Sequence, residues 1–342
     1  MELKKNLCRL NLQNLNQTVF NEETLAWIAQ ENLWNLWIPK SHGGLELSLT
    51  KGLEKLRALA QIDGSLGWTV TLCSGANFFF GNLKKPFVNE IFINPISPVC
   101  FGGSGGVFGT AEKKEHGYML SGTWKYATGA PYLTHFTLNA KIMEDSKPLL
   151  NKDGSPVVRS FVIDKNDVAI IPDWNTMGLK ATATHSFEVK DKWVHETYSF
   201  LYNERYHDHA IFKVDFAVFA DLTLWVNYIG MAAHFYEEAE KLLDDEKTLD
   251  YLATIIKKAD ENVNLYASQI ENDIHSGNTL SKIWIEDLHE EASNSVKTFS
   301  EAIIKIYSLL GIRACSETHP LNLIFRDYLT ATQHHIFSKK QD

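Results

Sequence analysis

The apolar residues of this 342-residue chain change their spacing twice along its length. Over residues 22–38 they recur at helical intervals, as Leu25, Ile28, Ala29, Leu33 and Leu36, until Pro39 and the Gly43-Gly44 loop. A second helical pattern holds Leu49, Leu53, Leu56, Leu59 and Ala60, and Asp63-Gly64-Ser65 breaks it. A third begins near Ser65 and carries Trp68, Val70, Leu72 and Phe78 to Phe80. From residue 100 to about 200 the pattern becomes one of short strands with turn chemistry between them. His116-Gly117 separates residues 110–114 from 118–120 as a hairpin turn would, and Ser121-Gly122 is expected to turn the chain again into 123–127. Residues 135–142 and 159–164 are further β-like runs, with the polar loop 151–154 between them.

Helical spacing then returns. Leu222, Val226, Ile229 and Ala233 share one stripe, and Ile256, Ala259, Val263, Tyr266 and Ile270 keep a three–four alternation. Ile285, Leu288, Ala292, Phe299, Ile303, Ile306 and Leu310 do the same with one step left out, and Gly311 is a stop. A final helix is expected to open at Pro320, whose missing N–H is no loss there. The order predicts an α+β chain: an N-terminal helical domain (1–98), a central β domain built as a small barrel or sandwich (99–202), and a C-terminal antiparallel helix bundle (203–342).

Composition narrows the function classes. Hydrophobic residues make up 44% and charged residues 22%, which excludes disorder. The net charge is −9 and Lys and Arg form no stripe, so no nucleic-acid partner is expected. Cys8, Cys73, Cys100 and Cys315 are scattered without a Cys-x-x-Cys, which predicts buried reduced thiols rather than disulfides or a zinc site. Residues 1–15 lack the apolar core of a signal peptide, and no uninterrupted apolar stretch approaches the ~20 residues of a membrane span. The expected location is the cytoplasm, with no membrane contact. Glu286-x-x-His289 fits half of a carboxylate-bridged di-iron motif whose second half is missing, so no metal is expected. His207-x-His209 reads as a solvated pair in a loop.

Several segments resemble the acyl-CoA dehydrogenase superfamily. Ile38-Pro39-Lys40-Ser41-His42-Gly43-Gly44 is similar to its Pro-x-x-x-Gly-Gly loop, and Asp63-Gly64-Ser65-Leu66-Gly67-Trp68 to its Asp-x-Ser helix junction. Trp124-Lys125-Tyr126-Ala127-Thr128-Gly129 stands where the family has its Trp-Ile-Thr-Asn-Gly flavin segment. Trp174 with 177–184 resembles Gly-Leu-Arg-Gly-Thr-Gly-Ser. Near the end, Pro320-Leu321 and Arg326-Asp327, followed by Gln333-His334, resemble the ending of one branch, the two-component flavin monooxygenases. That branch includes hydroxyphenylacetate hydroxylase, dibenzothiophene monooxygenase and steroid-phenol hydroxylases. The chain departs from the family where Phe101 to Gly106 replaces Thr-Glu-Pro-x-x-Gly-Ser-Asp, where Gln-x-x-Gly-Gly-x-Gly-Tyr is missing, and where Leu323 replaces an Arg.

The resemblance implies a flavin, FMN or FAD, bound in its reduced form after delivery by a separate flavin reductase, and hydroxylation of a small aromatic or heterocyclic substrate. It places Thr128 against the N5/O4 edge of the flavin and Tyr126 beside the ring. A hydroxyl there can donate or accept as N5 changes with redox state, whereas spacing alone reads Thr128 as a threonine ending a strand before Gly129. Ser104 and Gly106 are expected to turn backbone N–H groups to the flavin, and Thr182 and Thr184 to hydrogen-bond it from the next strand. Arg326 would reach a phosphate or, preferably, pair with Asp327 or another acid of the bundle.

At helical spacing Asp327, Ala331 and His334 fall on one stripe, so that Asp327 would set the tautomer of a catalytic His334. His335 lies roughly where the dehydrogenases place a glutamate base, and neither His is acidic. That argues against proton abstraction from an acyl thioester. Two alternatives stay open: an FAD-dependent acyl-CoA dehydrogenase, and a catalytically silent protein that keeps the fold. The resemblance also implies a homotetramer or homodimer through the bundle, with Trp225, Tyr228 and Trp284 as contact residues or as core.

Overall fold

Asn21 starts the first helix, α1 (Glu22–Gln30), by accepting the Thr24 amide on its side-chain oxygen. It is the first regular element of a computed structural model that describes residues 16–93 and 95–337. The helix is shorter than the expected 22–38. Asn32 turns left-handed at φ 53° and its side chain donates to the Gly43 carbonyl at 2.7 Å, so a tertiary bond ends the run. Leu33, Leu36, Trp37 and Ile38 are buried all the same.

Asp63 separates α2 (Leu49–Ile62) from α3 (Gly64–Asn77), and its carboxylate accepts the Leu66 amide at 2.7 Å. The two helices cross at Gly67, where a Cβ would overlap the Ala60 backbone. Phe78, Phe79 and Phe80 follow in a 3-10 turn rather than in α3 itself, and α4 (Lys85–Phe92) closes the helical layer.

Asn77 ties this layer to the sheet. Its amide donates to Trp34, Asn35 and Val99 and its oxygen accepts the Phe101 amide at 2.8 Å. The strands are β1 (Phe101–Lys114), β2 (Gly117–Ala127), β3 (His135–Glu144), β4 (Lys147–Pro148), β5 (Val158–Asp164), β6 (Ala169–Ile171), β7 (His185–His195) and β8 (Ser199–Phe200). They form one mixed sheet in the order β6-β7-β2-β1-β3-β5-β8, with β4 beside β3 and β1 parallel to β3. The path has two ends, β6 and β8, so hydrogen bonds do not close it, but the sheet curls over its own core in the manner of the expected barrel or sandwich: Phe136 on β3 meets Phe187 on β7 at 4.8 Å and Tyr118 on β2 meets Phe161 on β5 at 5.2 Å. The β1–β2 hairpin is as read, with His116 at φ 55° in its turn. Ser121-Gly122 is not a turn. Both residues lie inside β2, where Gly122 faces Gly109 and the Trp124 ring covers the pair. That indole stacks on Phe187 at 5.5 Å and donates to the Asn139 carbonyl.

The bundle comprises α5 (Phe216–Ala239), α6 (Glu246–Ser276), α7 (Lys282–Tyr307) and α8 (Pro320–Ala331). α6 and α7 are amphipathic as their stripes require, Val296 filling the omitted step and Leu310 falling past the end of α7. α5 is buried nearly all round, because it packs on α2, α3, α6, α7 and α8. By length and composition, at 24 residues and mean hydropathy 1.4, it is a helix that could cross a membrane, although Asp221, Asn227 and His234 interrupt its apolar run, and 83% of that window is packed inside the protein. Trp225 and Tyr228 belong to this core and are unavailable as oligomer contacts. Among the described cysteines, Cys73 and Cys100 are buried free thiols, while Cys315 is exposed, against expectation; Cys8 lies outside the described residues.

Candidate functional site

A cavity of about 290 Å³ opens where α3, the sheet, α5 and the segment after α8 meet. One wall is backbone, from Gly102 to Gly105 at the start of β1. Gly103 is a glycine because a Cβ would overlap the Thr137 carbonyl on β3. Pairing with β3 slips between Ser104 and Val107, which takes Gly105 and Gly106 out of the ladder. Ser104 lines the cavity, its hydroxyl donating to the Lys125 carbonyl at 2.6 Å and accepting the Gly106 amide at 3.3 Å. Gly106 therefore gives its N–H to Ser104 and does not line the cavity, unlike the flavin contact expected of that amide.

Thr128 directly follows β2 beside this wall, 4% exposed and facing the cavity. Gly129, at φ 75°, turns the chain there and donates its N–H to the Thr182 carbonyl at 2.7 Å. Thr182 and Thr184 stand behind Thr128 and are not part of the lining. The hydroxyls of Thr128 and Thr184 lie 3.1 Å apart, those of Thr184 and Thr182 2.7 Å apart, and Thr182 donates to the Leu179 carbonyl at 2.7 Å. Leu179 and Ala183 hold left-handed backbone, at φ 50° and 42°, to make this loop. Tyr126 is 46% exposed, outside the cavity, with its ring edge-on to Trp174 at 5.7 Å.

The segment after α8 brings His334 and His335 to the opposite wall. The Tyr228 hydroxyl anchors its start by donating to the Ala331 carbonyl at 2.6 Å. His334 is half-buried, edge-on to Trp68 at 5.5 Å and 4.6 Å from His335. Burial, then the His335 ring, push its pKa down to about 4, so the imidazole is neutral at neutral pH.

The expected Asp327–His334 pairing is absent. α8 ends at Ala331, and the turn that follows carries His334 away from the stripe. Asp327 instead accepts the Leu179 amide at 2.6 Å and packs against Gly64, next to Asp63. Burial, then the Asp63 charge, push Asp327 up to about 7, and burial raises Asp63 too. Arg326 forms no ion pair with either acid. It donates to the Glu317 carbonyl at 3.4 Å, and its Nε has no partner among the described residues.

Sequence reasoning missed the aromatic wall. Phe79, Phe200, Tyr202, Phe216 and Phe219 line the cavity, with Phe79 stacked on Tyr202 at 4.9 Å. The visible signals were the Phe78 to Phe80 run and the Phe216/Phe219 spacing. Asn139 and Ser160 were also missed. Ser160 donates to the Asn139 side-chain oxygen at 2.6 Å, and the Asn139 amide donates to the Gly105 carbonyl at 2.8 Å and to the Tyr202 hydroxyl.

Elsewhere, His289 bonds the buried Asp221 at 3.1 Å rather than joining Glu286, and no metal-holding group occurs among the described residues. His207 packs on Phe80 at 4.5 Å and bonds the Leu83 carbonyl, so it is not the solvated loop residue expected.

A flavin ring is compatible with this donor set: a glycine-rich backbone wall, a buried hydroxyl at its edge, and aromatic surface opposite. No family model matches the chain. It is 24% identical to the indole-3-acetate monooxygenase of Acinetobacter baumannii, over 97% of this chain and 87% of that protein. Among solved structures it is similar to XiaF from Streptomyces sp., in complex with FADH2 and glycerol, with a TM-score of 0.85 and 20% identity over 98% and 92% of the two chains. It is also similar to butyryl-CoA dehydrogenase from Megasphaera elsdenii, with a TM-score of 0.75 and 12% identity over 97% and 94%. The fold is that of the acyl-CoA dehydrogenases.

Proposed function

We propose that this chain, which has the acyl-CoA dehydrogenase fold, is the oxygenase of a two-component flavin monooxygenase that hydroxylates a small aromatic or heterocyclic substrate. The observation that carries this reading is the cavity, where a buried threonine hydroxyl, a neutral imidazole and five aromatic side chains converge. The likeness to a monooxygenase over most of both chains supports it. Reduced FMN or FAD, delivered by a separate reductase, would supply the activation of dioxygen.

The protein's own residues do the rest. The glycine wall admits the flat ring, and Thr128 holds its edge. Phe79, Tyr202, Phe216 and Phe219 take a planar substrate and keep water out. His334, kept neutral, accepts the proton of a substrate hydroxyl. No Asp or Glu is among the described residues of the lining, so the carboxylate base of a thioester dehydrogenase has no counterpart there.

The chain is proposed to act in the cytoplasm as a homotetramer or homodimer. Leu265 and Ile283, 70% and 71% exposed on α6 and α7, are the contact residues in place of Trp225 and Tyr228; a monomer in light scattering would sink that assembly. The central test is an anaerobic titration of the protein with oxidised and reduced FMN and FAD, followed by turnover with a reductase and dioxygen. Preferential binding of a reduced flavin with coupled hydroxylation is expected. Tight binding of oxidised FAD that an acyl-CoA bleaches would select the dehydrogenase, and no binding in either state would leave a silent fold.

A further inference from the structure

Thr128 does not face the cavity as a freely rotating hydroxyl; three successive hydrogen bonds decide which way its proton points. The Leu179 carbonyl at the far end can only accept. It receives the Thr182 hydroxyl at 2.7 Å and, from the other side, the Trp174 indole N–H at 2.9 Å. Thr182 has one hydroxyl proton, and that bond uses it. The 2.7 Å bond between Thr182 and Thr184 must then be donated by Thr184. Thr184 has now used its own proton, so the 3.1 Å bond to Thr128 must be donated by Thr128. The whole line is buried, at 0%, 7% and 4% exposure for Thr182, Thr184 and Thr128, so bulk water does not reset it. What Thr128 offers the cavity is its lone pairs.

We infer that Thr182 and Thr184 are positioning residues that make Thr128 an acceptor, and that this polarity selects the reduced flavin over the oxidised one. The inference rests on the flavin reading above. An oxidised isoalloxazine has a bare N5, an acceptor, and two acceptors facing each other in a buried site leave both unsatisfied. Reduction places a hydrogen on N5 and turns it into a donor, which an acceptor-only Thr128 satisfies. The Gly129 N–H on the Thr182 carbonyl, at 2.7 Å, keeps the two segments in register, so the relay is held by backbone as well as by hydroxyls.

The test is the ratio of dissociation constants for oxidised and reduced flavin, measured anaerobically on the full chain by quenching of tryptophan fluorescence, with FMN and FAD as probes. Thr184→Val keeps the side-chain shape and removes the acceptor for the Thr128 proton, so Thr128 becomes free to donate into the cavity. The preference for reduced flavin should narrow by roughly three- to tenfold, the worth of one buried hydrogen bond. Thr184→Ser keeps the hydroxyl and should restore the ratio. Thr182→Val, which releases the Thr184 proton to turn toward Thr128, should narrow it as well and serves if Thr184→Val does not fold. Flavin binding with an unchanged ratio in a folded valine variant overturns the relay while leaving the flavin reading standing. No binding of either redox state by the unmodified protein overturns the flavin reading and the relay with it.

Discussion

Asp327→Asn should raise the stability of this protein above neutral pH and flatten the dependence of stability on pH. Asp327 sits where three parts of the chain meet. It accepts the Leu179 amide from the loop before β7, it lies against Gly64 at the start of α3, and it is itself on α8. Burial and the neighbouring Asp63 push its carboxyl from 3.8 up to about 7. A carboxyl raised in the folded state holds its proton more tightly there than in the unfolded chain. Stability is therefore fully present below the unfolded value and is lost as pH rises through the folded one.

The gap between 3.8 and about 7 sets a ceiling of roughly 4 kcal/mol on that loss. Two features lower it. A void of about 20 Å³, lined by Asp63, Ser65, Lys180 and Asp327, lets solvent approach, and Asp63 shares the proton. About 2 kcal/mol is the working figure. Spread over 342 residues it corresponds to roughly 3 °C in Tm. Asparagine keeps an oxygen for the Leu179 amide and turns an N–H toward Asp63, so the substitution removes the repulsion without removing the contact. Thermal unfolding of both proteins from pH 5.5 to 8.5 is the assay. The Tm difference should grow in favour of Asp327→Asn as pH rises to about 7 and then level off, and titrating groups outside the Asp63–Asp327 pair cancel in it. Parallel curves, or a variant less stable at pH 8.5, would refute the assigned protonation of this pair.

Other positions follow from the same geometry. Asn77→Ala should cost about 3 kcal/mol or more in denaturant unfolding, because it strands the Phe101 amide and three buried carbonyl-type acceptors between the helical layer and the sheet; a loss under 1 kcal/mol would mean water replaces it. Gly67→Ala should destabilise by about 2 kcal/mol despite better helix propensity, since its Cβ meets the Ala60 backbone; a gain in Tm would contradict the close crossing of α2 and α3. The His334 ring should show no NMR titration between pH 5 and 8, its pKa being near 4. It should add to acid lability, because a histidine depressed in the fold loses its stabilising effect as pH falls from 6.5 toward that value. A midpoint near 6.5 would place it in solvent.

What could be read from the sequence was whatever one element decides for itself. The α–β–α order, the His116 turn, the α6 and α7 stripes and the Pro320 start all follow from local periodicity or local backbone chemistry. The errors fall where a partner distant in sequence decides. Asn32 ends α1 because Gly43 receives its amide, and Gly122 is needed under the Trp124 ring rather than in a turn. The candidate site shows the same division. Thr128, Ser104 and His334 do line one cavity, and the family resemblance led to them, not spacing. Spacing alone paired Asp327 with His334, an extrapolation of helical phase past a helix that stops at Ala331. The resemblance placed Thr182 and Thr184 at the flavin from the next strand, but left-handed Leu179 and Ala183 fold them behind Thr128. A residue's period ranks it within its own element; its chemical role here depends on how loops at Leu179, Gly129 and Ala331 aim three elements at one volume. Those aims are set by a carbonyl, an amide and a buried carboxylate that no periodicity records.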